Sequence, residues 1–159
     1  MHKIYRHTIK SFFVLPLLFS GLSFGLFFST DAAAENSKEF GKYVIHYNAF
    51  RSDTLTPEVA KSYNLTRRNN RLIINIAVLE KVMDTTGKPV AAHVSGHASN
   101  LTGQLKNLEF REIREGTAIY YLAEEKFSDG EFLKFELKVK LEGEEEPARL
   151  KFDKRFYTH

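Results

Sequence analysis

Cysteine and tryptophan are absent from the 159 residues, which include only two methionines and four prolines. Without cysteine the chain can form no disulfide, so a small stapled scaffold is excluded and any domain must rest on its apolar core. The same absences exclude the buried Cys…Trp…Cys pin of antibody domains. No cysteine is available to carry a lipid after an export signal. Met83 is the only methionine beyond Met1, which leaves no thioether cluster for copper. Charge of one sign is also scarce. The chain holds 23 Lys and Arg against 20 Asp and Glu. Lys3, Arg6, Lys10 and Asp31 fall in the first 34 residues, so 20 basic and 19 acidic groups remain beyond them. A net of +1 there does not fit a strongly basic nucleic-acid binder. At 43% apolar and 27% charged, the composition is that of a globular protein and excludes disorder and collagen.

One long hydrophobic run is present, at the start. A basic head, Met1 to Lys10, precedes an apolar stretch from Ser11 to Phe28, and Ala32 and Ala34 then supply a small-x-small pattern. This is the layout of a cleavable export signal, with the cut expected between Ala34 and Glu35. A cut one residue earlier would place Asp31 where a small neutral residue is needed; a cut after Ala32 would place Thr30 there. The other reading is an uncleaved anchor, but the run is at the short limit for a span, and Pro16, Ser20, Gly21 and Gly25 weaken it. The head has no Arg-Arg pair, so the general secretory route is expected, and the periplasm is the expected location. Removing 34 of 159 residues leaves 125, one domain's worth. A chain of that size buries roughly two-thirds of its unfolded surface.

Period-2 alternation dominates from Phe40 onwards. Seven strands are expected: 43–50, 71–81, 89–99, 105–115 with a bulge between Phe110 and Ile113, 117–125, 133–141 and 148–156. The sixth alternates best, with Leu133, Phe135, Leu137, Val139 and Leu141 inward and Lys134, Glu136, Lys138 and Lys140 outward. Thr56, Pro57 and Glu58 signal one short helix ending near Asn64. No long amphipathic helix is available to cover a single sheet, so two sheets must cover each other. The expected fold is an immunoglobulin-like β-sandwich of about seven antiparallel strands, residues 35–159; a small closed barrel is the alternative.

Several blocks carry a resemblance: Phe40-Gly-Lys-Tyr-Val-Ile-His-Tyr-Asn-Ala-Phe50, Leu55-Thr-Pro-Glu-Val-Ala60, Val94-Ser-Gly-His-Ala-Ser-Asn-Leu-Thr-Gly-Gln104, Phe110-Arg-Glu-Ile113 and Ala118-Ile-Tyr-Tyr121. Together the chain resembles the bacterial family called domain of unknown function 4426, over about Phe40 to Tyr157. The resemblance implies an exported single domain behind a signal peptide. It carries over no activity, ligand or catalytic residue.

Candidate chemistry is sparse. His93 and His97 are four apart, which on a helix would suggest a metal pair. On a strand, at about 3.3 Å per residue, the two stand roughly 13 Å apart, too far to share one ion. Ser95 lies between them at about 6.6 Å from each, beyond a nucleophile–base hydrogen bond, and no Gly-x-Ser-x-Gly elbow occurs. Arg67, Arg68 and Arg71 read as a solvated loop, and Glu144-Glu145-Glu146 as an exposed turn. Tyr120 and Tyr121 point to opposite faces, so one belongs to the core. If the last two strands pair, Lys134, Lys138, Lys140, Arg149, Lys151 and Arg155 share one outward face with only Glu136 and Asp153. The patterns favour a non-catalytic binding or envelope-assembly module without cofactor, whose partner is an anionic lipid, an anionic glycan or another protein. The alternative is a hydrolase or metal-dependent enzyme using the His93–His97 strand.

Overall fold

The computed structural model describes residues 36–83 and 85–159. The expected cut at Ala34/Glu35 and the preceding run lie outside the described residues, as does Asp84 of one turn. Among the described residues no helix is long and apolar enough to cross a membrane.

The alternation seen in the sequence becomes two antiparallel sheets. Sheet A orders β1 (Asn36–Phe40), β2 (Tyr43–Arg51), β3 (Arg71–Glu80), β8 (Ala118–Lys126) and β7 (Arg111–Glu115), with the two-residue β4 (Lys88–Pro89) also against β3. Sheet B orders β10 (Ala148–Phe156), β9 (Glu131–Leu141), β5 (Ala92–Asn100) and β6 (Leu105–Leu108). The all-β sandwich is as expected, but with ten strands rather than about seven. β1, Asn-Ser-Lys-Glu-Phe, has no alternation to announce it; it is an exposed edge strand held by pairing with β2.

The other extra strands come from sheet-switching. The chain from Pro89 is not one strand: Lys88 and Pro89 pair with Glu80 and Leu79 in sheet A, and the chain then crosses so that β5 begins at Ala92 in sheet B. The 105–115 segment carries no bulge. It breaks at Glu109–Phe110, leaving β6 beside β5 and β7 beside β8. A parity change between Leu108 and Ile113 therefore marks a change of sheet.

The core lies between the sheets. Leu133, Phe135, Leu137, Val139 and Leu141 of β9 are all at most 2% exposed, facing Ile45, Leu72, Ile74, Ile76 and Val78 of sheet A in one apolar cluster. Aromatic rings run through it. Tyr47 meets Phe152 at 4.9 Å, Phe152 stacks on Phe135 at 4.6 Å, and Phe156 meets Phe135 edge-on at 6.4 Å. Tyr121 is the buried member of its tyrosine pair.

Ala60, Ile73 and Leu122 are buried outside that cluster. Ile73 and Leu122 point away from it, toward the outer side of sheet A, where α1 (Pro57–Ser62) supplies Ala60. Thr56 Oγ1 caps the helix by accepting the Val59 N–H at 3.3 Å. The helix ends where Asn64 takes φ 50° and the Leu65 N–H returns to the Ala60 carbonyl at 2.7 Å. Arg111 then donates to the Tyr63 carbonyl, and Tyr63 donates to Glu115 at 2.6 Å, a bond to a carboxylate that pushes the phenol up to about 12. The loop arginines are likewise engaged rather than only solvated. Arg67 donates to the Leu55 carbonyl at 2.6 Å, and Arg71 pairs with Glu124 at 3.2 Å.

Glu131 ties the lower corner of sheet B. It accepts from Asn100 at 3.2 Å, from Lys106 at 3.1 Å and from the Ser128 N–H at 2.8 Å. Burial alone would raise its carboxyl, but these donors outweigh burial and hold it below the ordinary value of 4.5. The unfolded chain therefore takes up this proton first. The contribution is complete above 4.5 and is lost as pH falls through the folded value.

Two stability measurements test this account. Phe135→Ala removes a stacked ring from the centre of the core and is expected to cost about 3–5 kcal/mol. A denaturant melt showing less than ~1 kcal/mol would place the core elsewhere, since surface changes cost that little. Glu131→Gln is expected to lose about 1–3 kcal/mol at neutral pH and less at low pH, flattening the acid limb of the stability curve. A stability–pH curve parallel to the parent's would remove Glu131 from that role.

Candidate functional site

Pairing in sheet B decides which outward side chains become neighbours. Ser95 stands opposite Lys138, and Lys138 opposite Arg149. One row along lie Asn107, His97, Glu136 and Lys151; the next holds Leu105, Ser99, Lys134 and Asp153. Phe132 and Arg155 are also paired, and His93 faces Lys140. Adjacent strands stand about 4.8 Å apart, so each row brings its heads within reach of one ligand. The six expected cations do share one exposed face.

Their surroundings divide them. Lys151 pairs with Glu136 at 3.1 Å. Lys140 curls onto the Glu144 and Glu145 carbonyls of the acidic turn. Arg155 donates to the Gly130 carbonyl at 2.7 Å and lies 5.4 Å from the Phe132 ring centroid. Lys134, Lys138 and Arg149 have no side-chain partner among the described residues. A shallow pocket of about 230 Å³ opens beside Lys138 and Arg149, lined also by Ser95, His97, Glu136 and Lys151 with the backbone of Gly96 beneath.

Gly96 makes that floor possible. A Cβ there would lie 2.3 Å from the Glu136 carbonyl oxygen and 2.8 Å from Leu137 Cα. Bare backbone lets β5 press against β9 beneath the pocket, where a Cβ would collide with the Glu136 carbonyl and the buried Leu137 side chain.

The histidines are not brought together. His93 and His97 lie on one unbroken strand, opposite Lys140 and Glu136 respectively. Among the described residues no three His, Asp or Glu side chains converge as a metal cluster would require. A larger pocket of about 290 Å³ lies on sheet A, beside His46, Leu79 and Thr85. Its charges are neutralised: Glu80 pairs with Lys42 at 2.8 Å, and Lys81 with Glu39 at 2.7 Å. The basic face of sheet B keeps unpaired cations and is the stronger candidate.

The sequence reading left three residues unplaced. Lys154 shares the inward parity of Leu150 and Phe156, is half-buried, and donates to the Ala49 carbonyl at 2.8 Å; burial pulls its ammonium below the ordinary value. Its odd place in an apolar alternation is the signal that would have found it. Ser95 and His97 join the basic face only through the β5–β9 pairing, which no local pattern shows.

The fold belongs to a recognisable class. The family model for the domain of unknown function DUF4426 matches residues 37–159, and the chain belongs to that family. It is similar to a DUF4426 family protein from Pseudomonas aeruginosa PAO1, known from a crystal structure, at 39% identity and a TM-score of 0.67, covering 77% of this chain and 94% of that one. FetP of uropathogenic Escherichia coli strain F11 is similar in fold alone, at 10% identity and a TM-score of 0.55, covering 77% and 93% of the two chains. No curated protein matches.

Gly96→Ala tests the floor of the pocket. The added methyl meets the Glu136 carbonyl oxygen and both the Cα and the buried side chain of Leu137, and the variant is expected to lose about 1–3 kcal/mol. Unchanged stability in a thermal melt would show that β5 and β9 are not in such close contact.

Proposed function

We propose that this chain is an exported periplasmic binding module that acts without catalysis, using the outer face of sheet B to hold a polyanionic component of the envelope. The carrying observation is the exposed row of Lys138 and Arg149 beside Lys134, cations without acidic partners on a chain that is otherwise nearly neutral. In this reading residues 1–34 are a signal peptide, removed between Ala34 and Glu35, and residues 35–159 form one immunoglobulin-like domain. The export-signal pattern of the first 34 residues supports the location. So does the fold neighbour FetP, whose crystallised form was recombinantly expressed in the periplasm of Escherichia coli.

Anionic groups would sit over the Ser95–Lys138–Arg149 row, where the Ser95 hydroxyl and two cationic heads converge. Each contact is exposed and individually weak, so affinity comes from several acting together. Screening over about 8–10 Å at physiological ionic strength makes such binding fall with salt.

Elution from a phosphocellulose column tests this. Lys138→Glu/Arg149→Glu is expected to elute at clearly lower salt than the parent, with an unchanged melting temperature. Equal elution of folded parent and variant would leave this face an ordinary solvated sheet.

A further inference from the structure

The same face is not polar throughout. At its lower end the β5–β6 hairpin exposes Leu101 at 67% and Leu105 at 64%. Leu105 is paired with Ser99, two positions along from His97, and so belongs to the outer face. Phe132, half-buried, lies on that face one row below Lys134 with Arg155 over its ring. Tyr157, 49% exposed, follows β10 at the same end.

Isolated exposed leucines are ordinary on protein surfaces. These two differ in being held out together. The Asn100 side-chain oxygen accepts from the Thr102 N–H at 3.1 Å, the Thr102 hydroxyl at 2.7 Å and the Gln104 N–H at 3.0 Å. Gly103 takes φ +83° to close the turn. The tip is therefore ordered by its own bonds, and its leucines need not be ordered again on binding.

We propose that the polyanion is an anionic lipid surface. In this arrangement the β5–β6 tip dips Leu101 and Leu105 below the headgroups while Lys134, Lys138 and Arg149 hold lipid phosphates. This inference rests on the basic face being the docking surface, and adds which polyanion it meets. An apolar tip beside a cationic face is the pattern of interfacial docking, where burial of apolar area and attraction to anionic lipid act together. An anionic glycan would satisfy the cations but offers no hydrocarbon for leucine. A second copy of this chain, face to face, would set Lys138 and Arg149 against their own kind.

The absence of tryptophan makes insertion directly readable. The full chain is expressed with its leader, and the form recovered is used for parent and variants alike, so that any contribution of residues 1–35 is common to all. Vesicles of phosphatidylglycerol and phosphatidylethanolamine are compared with phosphatidylcholine vesicles and with phosphocellulose. The parent is expected to partition onto the phosphatidylglycerol vesicles. Leu101→Ser/Leu105→Ser is expected to partition about tenfold more weakly, the scale set by lost apolar burial, while eluting from phosphocellulose at the parent's salt. Leu101→Trp is expected to shift its emission to the blue on those vesicles alone. Equal vesicle partition of the serine variant and the parent, or bound Leu101→Trp with unshifted emission, would overturn insertion and leave the polyanion reading standing. A parent that binds phosphocellulose but no vesicle would make a glycan the better occupant. A parent retained on neither would remove the binding reading itself.

Discussion

Two sheets must stay pressed together without a disulfide, and every other feature of the molecule works within that constraint. The main force is apolar: the β9 row and its partners in sheet A are almost wholly buried. Polar bonds close the seams. Lys38 of β1 donates to the Arg149 carbonyl of β10 at 2.8 Å, and Lys154 of β10 donates back to Ala49 of β2 at 2.8 Å. On the other side Lys106 of β6 donates to the Lys126 carbonyl of β8 at 2.6 Å. The Tyr121 hydroxyl accepts the Ala92 N–H at 2.7 Å and donates to Glu112 at 2.9 Å. Each such bond nets about 0.5–1.5 kcal/mol, less where exposed, against about 3–5 kcal/mol for one core ring. The core therefore supplies the stability, and the seams fix how the sheets are set over each other.

That division explains why the two outer faces differ. On sheet A the helix and the Tyr63–Thr66 segment lie over β8 and β7, so Leu122 and Ile73 are buried there and the polar groups serve structure. Nothing among the described residues lies over sheet B in the same way. Its outer positions are free of packing demands, and alternation fills them with charge. Function has room on the uncovered sheet.

The legible parts of the sequence were those where local pattern and burial agree. β9 shows clean alternation because its inner face meets a core and its outer face meets water. The Thr56 cap and the Asn64 stop were equally local. What failed was pairing across the chain. Leu108 and Ile113 look like one bulged strand until the chain is seen to change sheets between them. β1 has only Phe40 to mark it, because an edge strand needs partners for its backbone more than a buried face. The cations of the candidate face were readable because β9 and β10 are joined by a short turn, but Ser95 and His97 reach them only through a partner distant in sequence.

Charge placement then matters more than charge total. Beyond the first 34 residues the chain carries about as many acids as bases, yet they are segregated. Acids gather at the Glu142–Glu146 turn, and on sheet A Glu112 and Glu124 are paired with Arg114 and Arg71, while Lys134, Lys138 and Arg149 stand together on sheet B without such partners among the described residues. At distances beyond the Debye length such a molecule is close to neutral and is neither drawn to nor repelled from a charged surface. Within that length its faces differ, and a polyanion favours one orientation over the others. Orientation is what the exposed leucines require, because they lie at one end of the favoured face. The near-neutral composition, which on its own argues against a polyanion binder, thus becomes compatible with one whose contact is local and directed.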